Sequence, residues 1–325
     1  MDAPVGLVRA LIPVTAHITA RVPARHPSAA ILGTDRMGSG VVVDPAGLVL
    51  TVNYVVMGAR RLQVTFPDGR RVAASVAAQD FESGLALLRA RIAGLPVAVP
   101  GSFEGLSAGA PVFVIAATGP RERRVAGGVV TYLGEFDAHW EYLLDRGIMT
   151  TCPNPGFGGG PLFDMRGRVV GIASLNLNEV GRHSFAIPVE YFTLHRADLV
   201  RFGRVVSRPR RAWIGFFPHP VEEGLMVAGV VPRSPAERGG LKEGDLILSV
   251  DDTAVETRRG LYEALWRHEP GERVRFDVMR ENAVRRVEIV SEDRAEFYRL
   301  EADASGTAPA GEDAEGGEDG PGTRR

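Results

Sequence analysis

A single cysteine, Cys152, leaves this chain of 325 residues without a partner for an intrachain disulfide. On that count the sequence suits a reducing compartment. No run of about 18 apolar residues occurs, so no membrane-spanning helix is expected. Neither sign of charge is in excess: the net charge is -2 and the sequence pI is near 6.4, which removes long-range attraction to nucleic acid or anionic membranes. The opening stretch, MDAPVGLVRALIPVTAHITA, lacks a basic n-region, and Arg9 and Pro13 interrupt any apolar core of a signal peptide. A cytoplasmic location is the resulting expectation. No cofactor and no metal are expected either.

What is present is enough apolar material, 45% of residues, for two folded units. From residue 11 to about residue 188, short runs of Val, Ile and Leu are broken every ten residues or so by Gly, Pro, Asp or Asn, the pattern of an all-β barrel or sandwich. Residues 40–43 and 48–52 flank Pro45-Ala46-Gly47; residues 62–66 and 71–76 flank Pro67-Asp68-Gly69, in which proline presets one dihedral angle and glycine accepts positive φ. Phe192, His195, Leu199 and Phe202 then recur at helical spacing behind Pro188, so a helix closes this region. The expected organisation is an N-terminal segment (1–10), a β domain with its closing helix (11–203), a basic solvated linker (204–211), an α+β module (212–291) with helices near 234–239 and 259–268, and a disordered acidic tail (299–325).

Three segments of the β domain carry a resemblance. They are GSGVVVDPAGLVLTVNYVV (38–56), DFESGLALLRA (80–90) and NPGFGGGPLFDMRGRVVGIAS (154–174). In order, spacing and flanking residues they resemble the blocks around the catalytic His, Asp and Ser of the HtrA (DegP-like) serine proteases. The resemblance implies a mostly β chain, a trypsin-like double β-barrel followed by an α+β PDZ domain. The chain departs from the family at the positions that matter. Tyr54 stands at the general-base position, Gly84 at the orienting acid and Gly158 at the nucleophile.

Acyl transfer by this machinery needs a hydroxyl nucleophile, an imidazole to take its proton and a carboxylate to orient that imidazole. Two glycines offer no side chain, and a phenol with a pKa of about 10 is a poor base at neutral pH. Loss of all three groups leaves about a thousand- to ten-thousand-fold rate enhancement at most, negligible for an amide. Cys152 lies six residues before Gly158 and reads as a buried apolar thiol. His139 and His183 read as surface or loop residues. The glycine turn 156–160 can keep its shape, and the N–H groups of Gly156 and Gly158 form a vestigial oxyanion hole able to bind a carbonyl or carboxylate. Alternatively Phe157 or Tyr54 fills the old cleft.

Residues 212–291 resemble the PDZ domain of the same proteases. Trp213, Ile214, Gly215 and Phe216 look like its carboxylate-binding loop, and VVPRSPAERGGLKEGDLILSVDD (230–252) carries the rest. The implied partner is a polypeptide or protein C-terminus, added as a strand between the segment after Gly215 and the helix at 259–268. Pro218 falls where that strand should donate a second hydrogen bond, a loss of about 1 kcal/mol. The arginines of residues 196–211 read as solvated linker, with an acidic partner or the acidic tail as the alternative.

The functional expectation is a pseudoprotease, not an enzyme, that binds polypeptide as adaptor, scaffold or holdase. Two alternatives stand beside it: a regulatory subunit of an active HtrA-like protease, and an endopeptidase using other residues such as Cys152. Because HtrA proteins resemble one another in forming trimers or larger cages, a homo-oligomer is a further expectation.

Overall fold

A computed structural model describes residues 4–138, 142–154, 158–177 and 183–304. Six strands, β1 (Thr15–Arg21), β2 (Asp35–Asp44), β3 (Leu48–Val52), β4 (Arg61–Thr65), β5 (Arg71–Asp80) and β6 (Leu85–Ala90), close into a barrel in the order β1-β2-β3-β6-β5-β4. Six more, β7 (Pro111–Ala117), β8 (Arg123–Ala138), β9 (Tyr142–Thr150), β10 (Pro161–Asp164), β11 (Val169–Leu177) and β12 (His183–Pro188), close a second in the order β10-β11-β12-β9-β8-β7. Both barrels are filled by the Val, Ile and Leu runs read from the sequence, among them Ile18, Val41, Leu50, Val64 and Leu87 in the first and Val114, Ile148 and Leu162 in the second. Each such side chain contributes roughly 1.5–3 kcal/mol by leaving water.

The third unit is a sheet of β13 (Phe216–Val221), β14 (Gly224–Val230), β15 (Leu246–Val250), β17 (Arg273–Arg280) and β18 (Ala283–Val290), with β16 (Thr253–Ala254) beside β15. The helices are short: α1 (Val5–Leu11), α2 (Pro27–Leu32), α3 (Asn53–Val56), α4 (Glu190–Thr193), α5 (Arg196–Phe202), α6 (Pro235–Gly239), α7 (Arg258–Leu265) and α8 (Arg294–Ala304). Side-chain caps set several of their starts. The His26 ring accepts from Ser28 N–H at α2, Ser234 Oγ from Glu237 N–H at α6, and Thr257 Oγ1 from Gly260 N–H at α7. The fold class is the one read from the sequence. Among the described residues no helix is long and apolar enough to cross a membrane.

Three features differ from expectation. The closing helix is two pieces, α4 and α5, because His195 leaves helical geometry (φ -111°, ψ 13°) before α5 begins. The acidic tail was expected from residue 299, yet α8 continues through Ala304; residues 305–325 lie outside the described residues. Phe297 and Tyr298 anchor this helix. Both are buried against Trp213, with Tyr298 also stacked on Phe81 and His26.

The linker is likewise not simply solvated. Arg208 donates to buried Asp80 at 3.0 Å, Arg210 pairs with Asp293 and Glu296 at 2.9 Å each, and Arg211 pairs with Glu82 and lies 4.2 Å over the Trp266 ring. These ties join the first barrel, the linker and the third unit. Charge composition alone does not reveal them, because an arginine run reads the same whether its acids are solvent or neighbouring domains.

Candidate functional site

The first-barrel side of the site is built where β3 gives way to α3. Asn53 N–H donates to Gly84 O at 2.7 Å, and Gln79 Nε2 donates to Asn53 Oδ1 at 2.5 Å, so the α3 turn is pinned to the loop before β6. A buried guanidinium holds the same turn from below. Arg36 donates to the carbonyls of Gly33, Tyr54, Met57 and Ser28 and to Ser28 Oγ, and burial lowers its pKa to about 10. Sequence reading passed over Arg36, since an arginine in a strand gives no signal that carbonyls surround it.

From the second barrel, the turn at residues 158–160 is stitched to both sides. Ser39 N–H donates to Gly158 O at 2.9 Å, Gly159 N–H to Ala173 O at 2.7 Å and Ala173 N–H to Gly160 O at 2.8 Å. Gly159 has φ +97°, and a Cβ there would strike Ser39 O and Thr51 Oγ1. Only glycine fits.

These constraints bring Tyr54, Gly84 and Gly158 together around one opening. The Tyr54 hydroxyl donates to Ser174 O at 2.7 Å, and it lies closer to the point where a Cβ on Gly158 would sit than the 3.0 Å that real Cβ atoms keep. Burial pushes this phenol above its ordinary pKa, opposed by the bond to Ser174. Gly84 shows the same relation to another tyrosine. It has φ +78°, and a Cβ would lie 2.9 Å from the buried ring of Tyr142, whose hydroxyl donates to Ser83 O. Of the two candidates for filling the cleft, Tyr54 is placed in it; Phe157 lies outside the described residues, as do Gly156 of the expected oxyanion hole and His139.

Cys152 is buried in the second barrel, where its Sγ lies 3.4 Å from Val112 O and burial raises its pKa. It is not among the described residues around the opening. His183 begins β12 and is also absent from them.

The loop formed by Trp213, Ile214, Gly215 and Phe216 faces the same opening. Gly215 has φ +89°, and a Cβ would meet Ser234 Cβ at 2.5 Å and the Trp213 ring at 2.8 Å. Its carbonyl accepts from Val231 N–H and Ser234 Oγ, while Ile214 O accepts from Ala236 N–H, so backbone bonds to the start of α6 fix the loop. Phe216 points into the core, edge-on to Phe276 at 6.0 Å. Pro218 is buried in β13 opposite Val227, next to a register shift. The cleft and the loop together line an open cavity of about 740 Å³, with Arg294 and Tyr298 of α8 contributing to its wall.

Residues 38–172 match the model of a trypsin-like peptidase domain and residues 212–290 that of a PDZ domain. The chain is 30% identical over 294 residues to a probable periplasmic serine endoprotease, DegP-like, of Halomonas elongata, and 31% identical over 295 residues to one of Hahella chejuensis. Those alignments take in 84% and 85% of this chain and 60% of each relative, so the chain spans about three fifths of the length of the curated relatives it matches. In structure it resembles the HtrA-type protease AlgW solved with a decapeptide (TM-score 0.53, 25% identity, 89% of this chain and 98% of that one) and with a tripeptide (TM-score 0.55, 25% identity, 89% and 96%).

It is an HtrA-like serine protease homologue with a PDZ domain. The HtrA-like chain thus carries a PDZ domain behind its double barrel. The expected cytoplasmic location is overturned. The relatives are named as periplasmic, which points to an extracytoplasmic place. The physical basis of that expectation was weak, because one buried thiol without a partner is equally compatible with an oxidising compartment.

Proposed function

We propose that this HtrA-like chain binds polypeptides without cleaving them, acting as an adaptor, scaffold or holdase. One observation carries the reading: the hydroxyl of Tyr54 rests on Ser174 O, in the space that a side chain at position 158 would need. Gly158 and Gly84 offer no side chain for a nucleophile or an orienting carboxylate, and Tyr54 offers a phenol in place of an imidazole base. A phenol held above its ordinary pKa is a still weaker base than a free one. Peptide binding is supported by the PDZ match and by similar proteases solved with a decapeptide and a tripeptide.

The test is incubation of purified full-length protein with a fluorescently labelled denatured protein. The expected outcome is a co-migrating complex and no fragments, with Cys152→Ala behaving identically. Fragments that disappear in Cys152→Ala would overturn the reading.

A further inference from the structure

The two end strands of the PDZ sheet are not alike. β13 carries Pro218 and Pro220 among its six residues, whereas the eight residues of β18 include no proline. Proline blunts a sheet edge because it has no N–H to offer a further strand. β18 is paired on one side only, with β17. The residues just beyond it fix which of its groups point away. Ser291 N–H donates to Glu272 O and Ser291 O accepts from Gly271 N–H, on the β17 side, while Glu292 exchanges two hydrogen bonds with Trp213 on the other. These directions alternate along an antiparallel strand. Val284, Arg286, Glu288 and Val290 therefore turn N–H and C=O outward, and among the described residues no backbone group meets them. The bridge from Glu292 to Trp213 closes the edge beyond Val290.

The side chains of the same four residues stand about half exposed, Val284 at 59%, Arg286 at 54%, Glu288 at 51% and Val290 at 52%, while Val287 and Ile289 between them are buried in the core. Arg286 is held beside Asp277 at 2.9 Å and Glu288 beside Arg273 at 3.6 Å, so both charges are already placed on the solvent face. The series valine, arginine, glutamate, valine is its own complement when reversed. A twofold axis at Val287 sets Val284 against Val290 of a second copy and Arg286 against its Glu288, in four pairs that each exchange two backbone hydrogen bonds. A slip of two residues sets Arg286 against Arg286 or Glu288 against Glu288, which like-charge repulsion disfavours. A slip of one residue turns the facing N–H and C=O groups of one strand back toward its own β17. Any extended chain could use the outward backbone groups; the mirrored charges select this same strand.

We infer that the open edge of β18 pairs antiparallel with the β18 of a second copy of this chain, joining two PDZ sheets into one across a twofold axis at Val287.

Sedimentation equilibrium of the full chain at up to about 100 μM should show a reversible rise in mass with concentration. Glu288→Pro removes an outward N–H twice in each pair of chains, at an edge position where a strand accepts proline. It should raise the dissociation constant about tenfold or more. Register is read separately with Val284→Cys and Val290→Cys, two exposed positions whose Cα atoms, facing in a hydrogen-bonded pair, lie about 5.5 Å apart and within reach of a disulfide. Under mild oxidation a mixture of the two variants should give a dimer linked from 284 to 290, mapped by mass spectrometry, and either variant alone far less. The cysteine result stands whether or not the proline variant folds. No rise in mass, a rise that a folded Glu288→Pro leaves unchanged, or equal cross-linking by single variants and mixture overturns the pairing.

Discussion

The cleft between the barrels and the carboxylate loop of the PDZ domain face each other across one cavity, yet they preserve different things. In the loop, residue type and backbone agree: Gly215 fits a position closed to any Cβ, and its carbonyl is held by Val231 and Ser234. In the cleft the backbone of the turn is just as tightly stitched, through Ser39, Gly159 and Ala173, while the side chains at 54, 84 and 158 are those of Tyr, Gly and Gly. Backbone shape and side-chain chemistry are thus separable. A turn can be maintained because the barrels pack around it, whatever chemistry its side chains carry.

Substitutions at the glycines sharpen this contrast. The largest effect is expected for Gly159→Ala, where positive φ combines with overlap against Ser39 O and Thr51 Oγ1; roughly 3 kcal/mol or more of barrel stability should be lost, read as a lower midpoint in chemical unfolding. Gly215→Ala should cost about 2–3 kcal/mol and weaken peptide binding, measured by the same unfolding and by fluorescence anisotropy. If Gly215→Ala left binding intact, the two regions would differ in shape alone.

A double-mutant cycle probes the cleft directly. Gly158→Ser should destabilise the chain in the presence of Tyr54 and much less in a Tyr54→His background, with a coupling of about 1–3 kcal/mol. Adding Gly84→Asp should again destabilise, because the backbone there has φ +78° and the Tyr142 ring would lie 2.9 Å from the new Cβ; making Tyr142 smaller should relieve the second cost and leave the first. Additive effects of Gly158→Ser and Tyr54→His would break the claim that the phenol occupies the neighbouring side chain's volume.

The smallest effect concerns pH. His17 in β1 is buried, and its pKa is lowered by burial first and then by Arg123 and Arg71. Below the ordinary value of 6.5, the unfolded chain takes up a proton that the folded barrel resists, so stability falls as pH drops through that point. His17→Phe should flatten this fall in the barrel's unfolding transition and leave that of the PDZ domain unchanged. A pH dependence located in the PDZ transition would assign it to other groups.

Much of the architecture was legible because it is written locally. Pro67-Asp68-Gly69 lies between β4 and β5, Pro45-Ala46-Gly47 between β2 and β3, and the strands around them alternate as their apolar runs imply. Tyr54, Gly84 and Gly158 could be singled out because their flanking residues follow a known pattern. What escaped was tertiary. The acidic, glycine-rich surroundings of residues 299–304 hide a helix whose stability comes from Phe297 and Tyr298 packing on Trp213 and Phe81, residues far away in sequence. Arg36 and the linker arginines escaped for the same reason, since their partners are carbonyls and carboxylates brought close only by folding. The cavity is the extreme case, as its opposite walls come from separate domains.

The geometry at position 158 also sets a condition on any attempt to install a reactive hydroxyl there. A Cβ at that position would overlap the Tyr54 hydroxyl, so the ring has to move or be exchanged along with the glycine. Residues 54 and 158 form one steric unit.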